Sequence, residues 1–363
     1  MTRLGIIGCG LMGTGHINSI LGGKVPGCTL TAICDTNPSV LEWAKKSHPS
    51  INRFGSSGEL LRSGEVDGVI IATPHYDHPI IAMEAIDNNV HVLVEKPAGV
   101  FTKDVRELNE KAAESDVVYA IMYNQRTNPI YKKMREIVRS GKLGSLKRFS
   151  WIITDWYRPQ AYYDGDGWRA SWKGEGGGVL INQCPHNLDL WQWICGMPKR
   201  ITAFAHNGKW HNIEVEDDVT AYAEYENGAT GVFITSTADC PGTNRFEVLG
   251  DKGKLICEHG QLTHYELEIS EREFNRTNKE MFASPKVTSA VVECPGDYPQ
   301  NPGVITAFVS KIQGNGELVA EGKEGILGLE ISNAIHLSSW LGETVELPID
   351  EDVFLSELKK RWR

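Results

Sequence analysis

Apolar and polar positions along the first 120 residues alternate between two periods, one typical of short buried strands and one typical of amphipathic helices. Strand-like apolar runs lie at residues 3–7, 30–34, 69–72, 90–94 and 117–122. Helix-like segments lie between them, at about 12–21, 38–48, 79–88 and 103–114. This alternation predicts an α/β domain over residues 1–122, built on a parallel, doubly wound sheet of six strands, five of which are located by these runs.

A different pattern begins near residue 123. After one helix that ends at Gly141, strand-like runs follow each other at about 147–154, 200–207, 218–225, 229–238, 243–250, 253–258 and 262–268. Tight turns such as Glu226-Asn227-Gly228 join several of them, which favours an antiparallel sheet. Helices are predicted again at about 302–313 and 323–341. We therefore predict a second, α+β domain over residues 123–363 with a mainly antiparallel sheet.

A glycine-rich turn follows the first predicted strand. Its sequence, Gly8-Cys9-Gly10-Leu11-Met12-Gly13, fits the pattern G-x-G-x-x-G and lies between a strand and a helix, as that motif requires. Gly8 permits the tight turn, Gly10 lets a pyrophosphate approach the backbone, and Gly13 lets the helix pack closely on the strand. Asp35, which ends the second strand region, would bind a ribose diol and repel a 2′-phosphate. The first domain is therefore predicted to be a Rossmann domain that binds NAD rather than NADP.

Reactive side chains follow the predicted strands at the sheet edge where such domains bind ligands. Lys96 comes directly after the strand at 90–94, in the run Glu95-Lys96-Pro97. Its apolar stem would be held by the sheet while its ammonium points into the crevice. We interpret Lys96 as lying beside the nicotinamide and handling a substrate proton, although such a lysine taken alone is more often a solvated strand end.

Other predicted cofactor contacts come from the end of a neighbouring strand. Thr73 and Pro74 follow the strand at 69–72, which should lie beside the first strand. His78 would approach the adenosine or ribose side. The cluster of His75, Asp77 and His78 is better explained by turn and capping residues than by a metal site, so no metal is predicted.

A predicted helix that ends near Cys195 carries His186 in its first turns. The positive end of the helix disfavours imidazolium, and a neutral imidazole is what a general base needs. Asn182, four residues earlier, would face the same side as His186, or alternatively cap the helix. Aromatic, arginine and aspartate side chains concentrated at 155–172 suit a sugar pocket, although about half of the aromatic residues would instead fill the core.

Composition and charge exclude several classes of function. The 363 residues carry a formal net charge of −10, which argues against nucleic acid as the main partner because phosphate binding needs a basic surface. No apolar run approaches the roughly 18 residues that a membrane span needs, and the start does not fit a secretory signal. The eight cysteines are scattered, which is typical of reduced thiols. A cytoplasmic protein is therefore expected.

The chain resembles the glucose–fructose oxidoreductase / inositol dehydrogenase (Gfo/Idh/MocA) family over essentially its whole length. The resemblance is carried by the Gly8–Gly13 turn, by Glu95-Lys96-Pro97, by the run from Gly176-Gly177-Gly178 through His186 to Asp189, and by the ending from Gly322 to Pro348. It implies a Rossmann domain followed by a large open-faced, mainly antiparallel sheet, whose outer face commonly forms dimers or tetramers. It also implies that Lys96 lies between nicotinamide and substrate, and that His186 transfers a proton.

One residue departs from the pattern of many polyol-oxidising relatives. They carry aspartate four residues before the histidine, whereas this chain has Asn182. The departure removes a carboxylate that would stabilise imidazolium. The run Asn-Gln-Cys-Pro-His, with the tryptophan-rich segment before it, is more similar to members that act on glucosides or similar sugars.

The sequence therefore predicts an NAD-dependent enzyme that oxidises a ring hydroxyl of a sugar or glycoside to a keto sugar, as a homodimer or homotetramer. Three alternatives stay open: a glycoside hydrolase or lyase that keeps NAD bound and oxidises transiently, an inositol dehydrogenase, and a sensor without turnover.

The predicted catalytic residues are Lys96, His186 and Asn182. The predicted cofactor contacts are Gly8, Gly10, Leu11, Met12, Gly13, Asp35, Thr73, Pro74, His78, Glu95, Lys96, Asn124, Trp168 and Arg169. The predicted substrate contacts are Lys96, Tyr123, Arg126, Asp155, Tyr157, Arg158, Trp168, Asn182 and His186.

Overall fold

The structure, a computed structural model, describes residues 1–165 and 167–362. Its strands are β1 Thr2–Ile7, β2 Cys28–Cys34, β3 Asn52–Phe54, β4 Gly68–Ile71, β5 His91–Val94, β6 Tyr119–Ile121, β7 Leu146–Ile153, β8 Arg200–Asn207, β9 Glu216–Glu224, β10 Thr230–Ser236, β11 Asn244–Gly250, β12 Gly253–Glu258, β13 Gln261–Leu267, β14 Val287–Val292 and β15 Val345–Glu346. Its helices are α1 Leu11–Leu21, α2 Pro38–Ser47, α3 Ser57–Arg62, α4 Asp77–Asp87, α5 Thr102–Ala113, α6 Pro129–Arg139, α7 Gln160–Asp164, α8 Pro185–Cys195, α9 Glu271–Thr277, α10 Gln300–Ile312, α11 Gly325–Leu341 and α12 Glu351–Lys359.

The chain forms two compact units that are not continuous in sequence. Unit 1 contains residues 1–127, 174–176 and 298–329, and unit 2 contains residues 128–173, 177–297 and 330–363. Unit 1 thus includes α10 from late in the chain. The domain boundary at residue 122 stays a prediction of the sequence.

Unit 1 is built on a parallel six-stranded sheet in the order β3-β2-β1-β4-β5-β6. The order reverses between β1 and β4, so the carboxyl ends of these strands border the crevice where doubly wound sheets bind ligands. The strands are nearly continuous apolar runs because helices cover both faces, and two separate cores contain Ile6 and Val69 respectively. The predicted α/β class is confirmed, and the strand that the apolar pattern did not locate is the three-residue β3.

Unit 2 is built on a nine-stranded mixed sheet in the order β14-β13-β12-β11-β7-β10-β9-β8-β15. Neighbouring strands are antiparallel except for β7 and β10, which run parallel from the pair Arg148–Thr230 to the pair Ile153–Thr235. Burial alternates along β9 and β10, so that one face of the sheet is covered and the other is partly exposed. The covered face includes a stack of Trp151 on Phe246, with ring centroids 4.3 Å apart.

Helices close both units. Asn37 and Asn128 cap α2 and α6, each followed by proline at the first helical position. In unit 2 the final stretch of α11 holds strand β8, because Ser338 Oγ accepts a hydrogen bond from the backbone N–H of Ala203. Among the described residues, no helix is both long and apolar enough to cross a membrane.

Candidate active site

The glycine turn of unit 1 is shaped so that a side chain would not fit at two of its three glycines, Gly8 and Gly13. Gly8 has φ +88°, and a Cβ there would lie 2.7 Å from the backbone of Ala72 at the end of β4. A Cβ at Gly13 would lie 1.9 Å from the carbonyl oxygen of Gly8, whereas one at Gly10 would meet open space. The turn therefore packs tightly on its inner side and leaves the first N–H groups of α1, including those of Leu11 and Met12, accessible at Gly10.

Asp35 is joined to this turn by its carboxylate. Its Oδ2 accepts a hydrogen bond from the backbone N–H of Cys9 at 2.8 Å, and its Oδ1 accepts one from Asn37 at 2.8 Å. Each carboxylate oxygen has a second lone pair and can still accept from a hydroxyl. Burial raises the pKa of the Cys9 thiol to about 12, so Cys9 acts here as a small apolar side chain.

A cavity of about 420 Å³ lies beside the turn and is lined by Cys9, Thr14, Ser39, Val40 and Trp43. The volume is in the range of small-molecule sites. Thr73 Oγ1, at the end of β4, is buried and makes no hydrogen bond within the described part of the chain. A tight glycine turn, a carboxylate at the end of β2 and a polar atom at the end of β4 together fit a dinucleotide.

We expect Asp35→Asn to weaken NADH binding about tenfold or more, because a hydrogen bond to a charged acceptor contributes about 1.5–3 kcal/mol. The preference for NADH over NADPH should narrow as well, since the charge that repels a 2′-phosphate is gone. Fluorescence titration with both nucleotides measures the two effects. Asp116→Asn, at an exposed position of the same unit, is the matched control. Unchanged NADH affinity in Asp35→Asn would contradict the assigned role.

Lys96 follows β5, and the residue before it is held by a buried charge-assisted contact. Glu95 is 4% exposed, and its Oε1 lies 2.7 Å from Nε2 of His16, which is 1% exposed and belongs to α1. The other carboxylate oxygen accepts a hydrogen bond from the backbone N–H of Lys96 at 3.1 Å. The Glu95 carboxylate thus links the helix that follows the glycine turn to the backbone of Lys96.

His78 lies on the other side of the same loop. Its two ring nitrogens are 2.7 Å from the carbonyl oxygen of Pro97 and 2.9 Å from that of Thr73. Burial lowers the pKa of His78 against the opposite effect of the two carbonyl groups, and the neutral ring that this favours donates to only one of them. These contacts tie the end of β4 to the loop after β5, while contact of His78 or of the exposed Pro74 with the cofactor stays a prediction.

Three predicted site residues that follow β6 make contacts inside unit 1. The hydroxyl of Tyr123 donates to the carbonyl oxygen of Gly325 at 3.3 Å, and Tyr123 is 2% exposed. Arg126, also 2% exposed, pairs with Glu324 at 2.6 Å. Asn124 Nδ2 donates to Oδ1 of Asn301. The hydrogen bonds of all three hold late segments of the chain onto β6, and their contact with a ligand stays a prediction.

In unit 2 the run that leads to His186 is held by one buried carboxylate. Glu216, the first residue of β9, is completely buried, and both of its carboxylate oxygens accept hydrogen bonds from the N–H of Gly178 at 2.9 Å. Oε1 also accepts from Leu180 at 3.0 Å, and Nε2 of His336 lies 3.1 Å from Oε2. A Cβ at Gly178 would lie 2.0 Å from the carbonyl oxygen of Glu216. The glycine therefore allows the close approach that these hydrogen bonds require.

Asn182 and His186 both keep partial exposure, and Asn182 lies in the turn that precedes α8, so their position on one side stays a prediction. The N-cap of α8 is Cys184, so the alternative that Asn182 caps this helix is wrong. Asn182 Oδ1 instead accepts hydrogen bonds from the hydroxyl of Tyr162 at 3.3 Å and from Gln183 Nε2 at 3.2 Å.

The segment before α7 places its side chains on opposite sides. Trp156 Nε1 donates to Oδ1 of Asn187 at 3.3 Å, next to His186. Asp155 accepts from Asn244 at 3.1 Å and lines a separate cavity of about 290 Å³ within unit 2. Tyr157 is 48% exposed. The structure thus joins Trp156 to the helix that carries His186, and it does not bring Asp155 into the same hydrogen-bonded cluster.

Two sequence-family models match the chain. The model described as "Oxidoreductase family, NAD-binding Rossmann fold" matches residues 2–123, and the one described as "GFO/IDH/MocA C-terminal domain" matches residues 131–256. The chain belongs to the Gfo/Idh/MocA family. The predicted family is thereby confirmed, and with it an oxidoreductase whose first unit binds NAD.

Relatives in this family differ in the share of their length that they have in common with the chain. The rhizopine catabolism protein MocA of Rhizobium meliloti is 29% identical over 53% of this chain and 57% of its own length. The 1,5-anhydro-D-fructose reductase of Ensifer adhaerens is 25% identical over 80% of this chain and 82% of its own. Among solved structures, the WlbA dehydrogenase from Bordetella pertussis, in complex with NADH and UDP-GlcNAcA, is 25% identical with TM-score 0.81 and covers 96% of this chain and 99% of its own.

Four residues that support the site of this Gfo/Idh/MocA chain were not found from the sequence. They are His16, Tyr162, Gln183 and Glu216. A histidine on the apolar face of the predicted α1 was a usable signal for His16, because a buried histidine needs a hydrogen-bond partner. Glu216 gave no local signal, since the backbone groups it binds lie 38 residues earlier.

Proposed function

We propose that the chain catalyses NAD-dependent oxidation of a ring hydroxyl of a sugar or glycoside to a keto sugar. One observation supports this most: Lys96 and His186, which can transfer a proton, and Asn182, which can bind a hydroxyl, keep access to solvent where their neighbours are buried. Lys96 is the only partly exposed residue among 92–100, and Asn182 and His186 are the only two among 177–192, all of them described residues. Structural residues in such runs would be buried with their neighbours.

His186 is the proposed general base, which removes the hydroxyl proton as the carbon loses its hydride. Bound NAD supplies the hydride acceptor. The Lys96 ammonium stabilises the alkoxide that develops on the same oxygen, and it relays protons by releasing one of its own for each one that it accepts. Asn182 binds a substrate hydroxyl. It takes no part in the proton transfer, because its neutral amide does not stabilise imidazolium as a carboxylate would.

The names of two relatives support a carbohydrate substrate. One is named for 1,5-anhydro-D-fructose, and the WlbA structure contains NADH together with UDP-GlcNAcA. We carry over from them only the general class, a carbohydrate hydroxyl or carbonyl. The concentration of Trp156, Tyr162 and Trp168 near Asn182 in the sequence is suited to such a ligand, because aromatic rings pack on the C–H faces of sugars.

The test is a panel of inositols, free hexoses and glycosides incubated with enzyme and NAD. We expect NADH to accumulate with a sugar or glycoside and the product to be a keto sugar by NMR. Accumulation with inositols alone would favour the inositol dehydrogenase alternative. Glycoside cleavage without net NADH, by protein that retains NAD on purification, would favour the hydrolase or lyase alternative. Binding of NAD without turnover of any substrate would overturn the proposal.

We further propose that the protein assembles as a homodimer or homotetramer through the outer face of the sheet in unit 2. Phe204 on β8 and Tyr222 on β9 are 64% and 41% exposed on adjacent strands of that face. Large exposed apolar side chains in one patch are typical of association surfaces. Sedimentation of wild type against Phe204→Glu tests this, and a monomeric wild type would contradict it.

A further inference from the structure

We propose that the substrate carries a carboxylate, as an acidic sugar does, and that Arg158 and Arg169 bind it beside Tyr162. The inference rests on the proposed function and adds a substrate class to it. Two guanidinium groups near one ring are an unusual feature in a chain whose formal net charge is −10. A local positive patch in an acidic protein attracts anions specifically to that place.

Both guanidinium groups pack against the ring of Tyr162. The Cζ atoms of Arg158 and Arg169 lie 5.2 Å and 4.9 Å from the ring centroid. Arg158 also lies 5.7 Å from the ring centroid of Trp156, and Arg169 lies 4.7 Å from that of Trp168. Packing on aromatic faces fixes the guanidinium planes, and a planar guanidinium held in one orientation has the geometry to bind planar, bidentate acceptors such as carboxylates.

The backbone of Arg158 is anchored by a buried pair elsewhere in unit 2. Its carbonyl oxygen lies 2.8 Å from Nε2 of His211, and its N–H donates to the carbonyl oxygen of Thr237 at 2.8 Å. The other ring nitrogen of His211 lies 2.9 Å from the completely buried Asp217, which also accepts the backbone N–H of His211. The backbone N–H and the carbonyl oxygen of Arg158 are thus both held in place. Such support is typical of residues that are preorganised for binding.

Arg158 also has its charge available. In the described ranges, 1–165 and 167–362, it forms no ion pair with a carboxylate, and its Nη1 donates to the carbonyl oxygen of Tyr157 at 2.8 Å. The side chain is partly exposed, so an anion from solvent can reach it. A neutral carbonyl acceptor leaves the positive charge uncompensated.

A hydrogen-bonded chain connects this cluster to the proposed catalytic side chains. Arg169 Nη1 donates to the hydroxyl of Tyr162 at 2.7 Å, and that hydroxyl donates to Asn182 at 3.3 Å. Gln183 Nε2 contacts both Tyr162 and Asn182. Asn182 in turn precedes His186 by four residues. The guanidinium of Arg169 and the amide of Asn182 are thus separated by two hydrogen bonds through one hydroxyl, which is why we assign the carboxylate and the reacting hydroxyl to the same substrate.

The experiment compares methyl glucoside with methyl glucuronide, and with glucose 6-phosphate, as substrates of the wild-type enzyme and NAD. We expect kcat/KM for the glucuronide to be at least about tenfold higher than for the neutral glycoside, since charge-assisted hydrogen bonds to arginine are roughly twice as strong as neutral ones. A neutral glycoside used as well as the glucuronide overturns the inference while the proposed function stands. Failure of every sugar to reduce NAD overturns both. Preference for the phosphate overturns the assignment of a carboxylate.

Arginine variants assign the effect to the two residues. We expect Arg158→Gln and Arg169→Gln each to raise KM for the glucuronide about tenfold or more, and to lower kcat/KM for the glucuronide far more than kcat/KM for the neutral glycoside. Arg148→Gln, at an exposed position on β7, is the control. Glucuronate binding to each NADH-loaded variant by calorimetry gives a second readout that does not need turnover. If Arg169→Gln weakens NADH rather than glucuronate binding, Arg169 serves the cofactor and the inference is wrong for that residue.

Discussion

We expect Lys96→Met to lower kcat/KM by about 10²–10⁴-fold, the usual contribution of a positioned acid–base group. Methionine preserves most of the apolar stem that follows β5 and removes the ammonium. The Kd for NADH should change little, because the contacts that fit the phosphates and ribose belong to the Gly8–Gly13 turn and to Asp35. Steady-state kinetics with the best substrate of the panel, together with NADH titration, separates the two quantities.

The control and the partner variant sharpen this result. Lys24→Met, at an exposed position after α1, should leave both quantities at wild-type values. His186→Ala should lower kcat/KM by a similar factor to Lys96→Met if the two side chains act on the same proton. If both variants keep more than about a tenth of wild-type kcat/KM, the assigned proton transfer is wrong.

Residues whose roles come from local sequence were predictable. Gly8 and Gly13 follow from the spacing of one turn, and the structure gives the close contacts that make glycine necessary at both positions. The strand before Lys96 could likewise be predicted, because the three successive apolar residues Val92, Leu93 and Val94 suit a strand buried on both faces. Strand β3 could not be predicted, since three residues are too few to show a hydrophobic period.

The sequence also indicates on which side each side chain of residues 154–158 lies. In an extended chain, successive side chains point to opposite faces. Asp155 accordingly contacts Asn244, whereas Trp156 contacts Asn187 beside His186. A period of two alone would have separated Asp155 and Tyr157 from Arg158 among the predicted substrate contacts. The partners themselves could not be predicted, because they come from strands and helices far along the chain.

The role of Glu216 is one that no local sequence pattern could predict. Its carboxylate binds the turn at Gly178 and Leu180, and that turn leads to Asn182 and His186. The sequence shows only an acidic residue at the start of a strand. Its importance comes from tertiary contact, since two buried N–H groups would otherwise lack acceptors.

We expect Glu216→Ala to lower the free energy of unfolding by about 3–5 kcal/mol, because it leaves the N–H groups of Gly178 and Leu180 buried without their acceptor. Glu216→Gln keeps one acceptor oxygen and should cost less. Denaturant unfolding followed by tryptophan fluorescence measures the change in unit 2, since every tryptophan except Trp43 belongs to that unit.

Glu224→Ala, at the other end of β9, is the matched control for this loss. Glu224 pairs with Arg200 at 2.5 Å, but both side chains are more than a third exposed, so the loss should stay below about 1 kcal/mol. Activity adds a second distinction at Glu216. Because its carboxylate fixes the turn before Asn182, Glu216→Gln should lower kcat even where the protein is fully folded. Stability and kcat both equal to wild type in Glu216→Ala would mean that the turn holds its shape without the carboxylate.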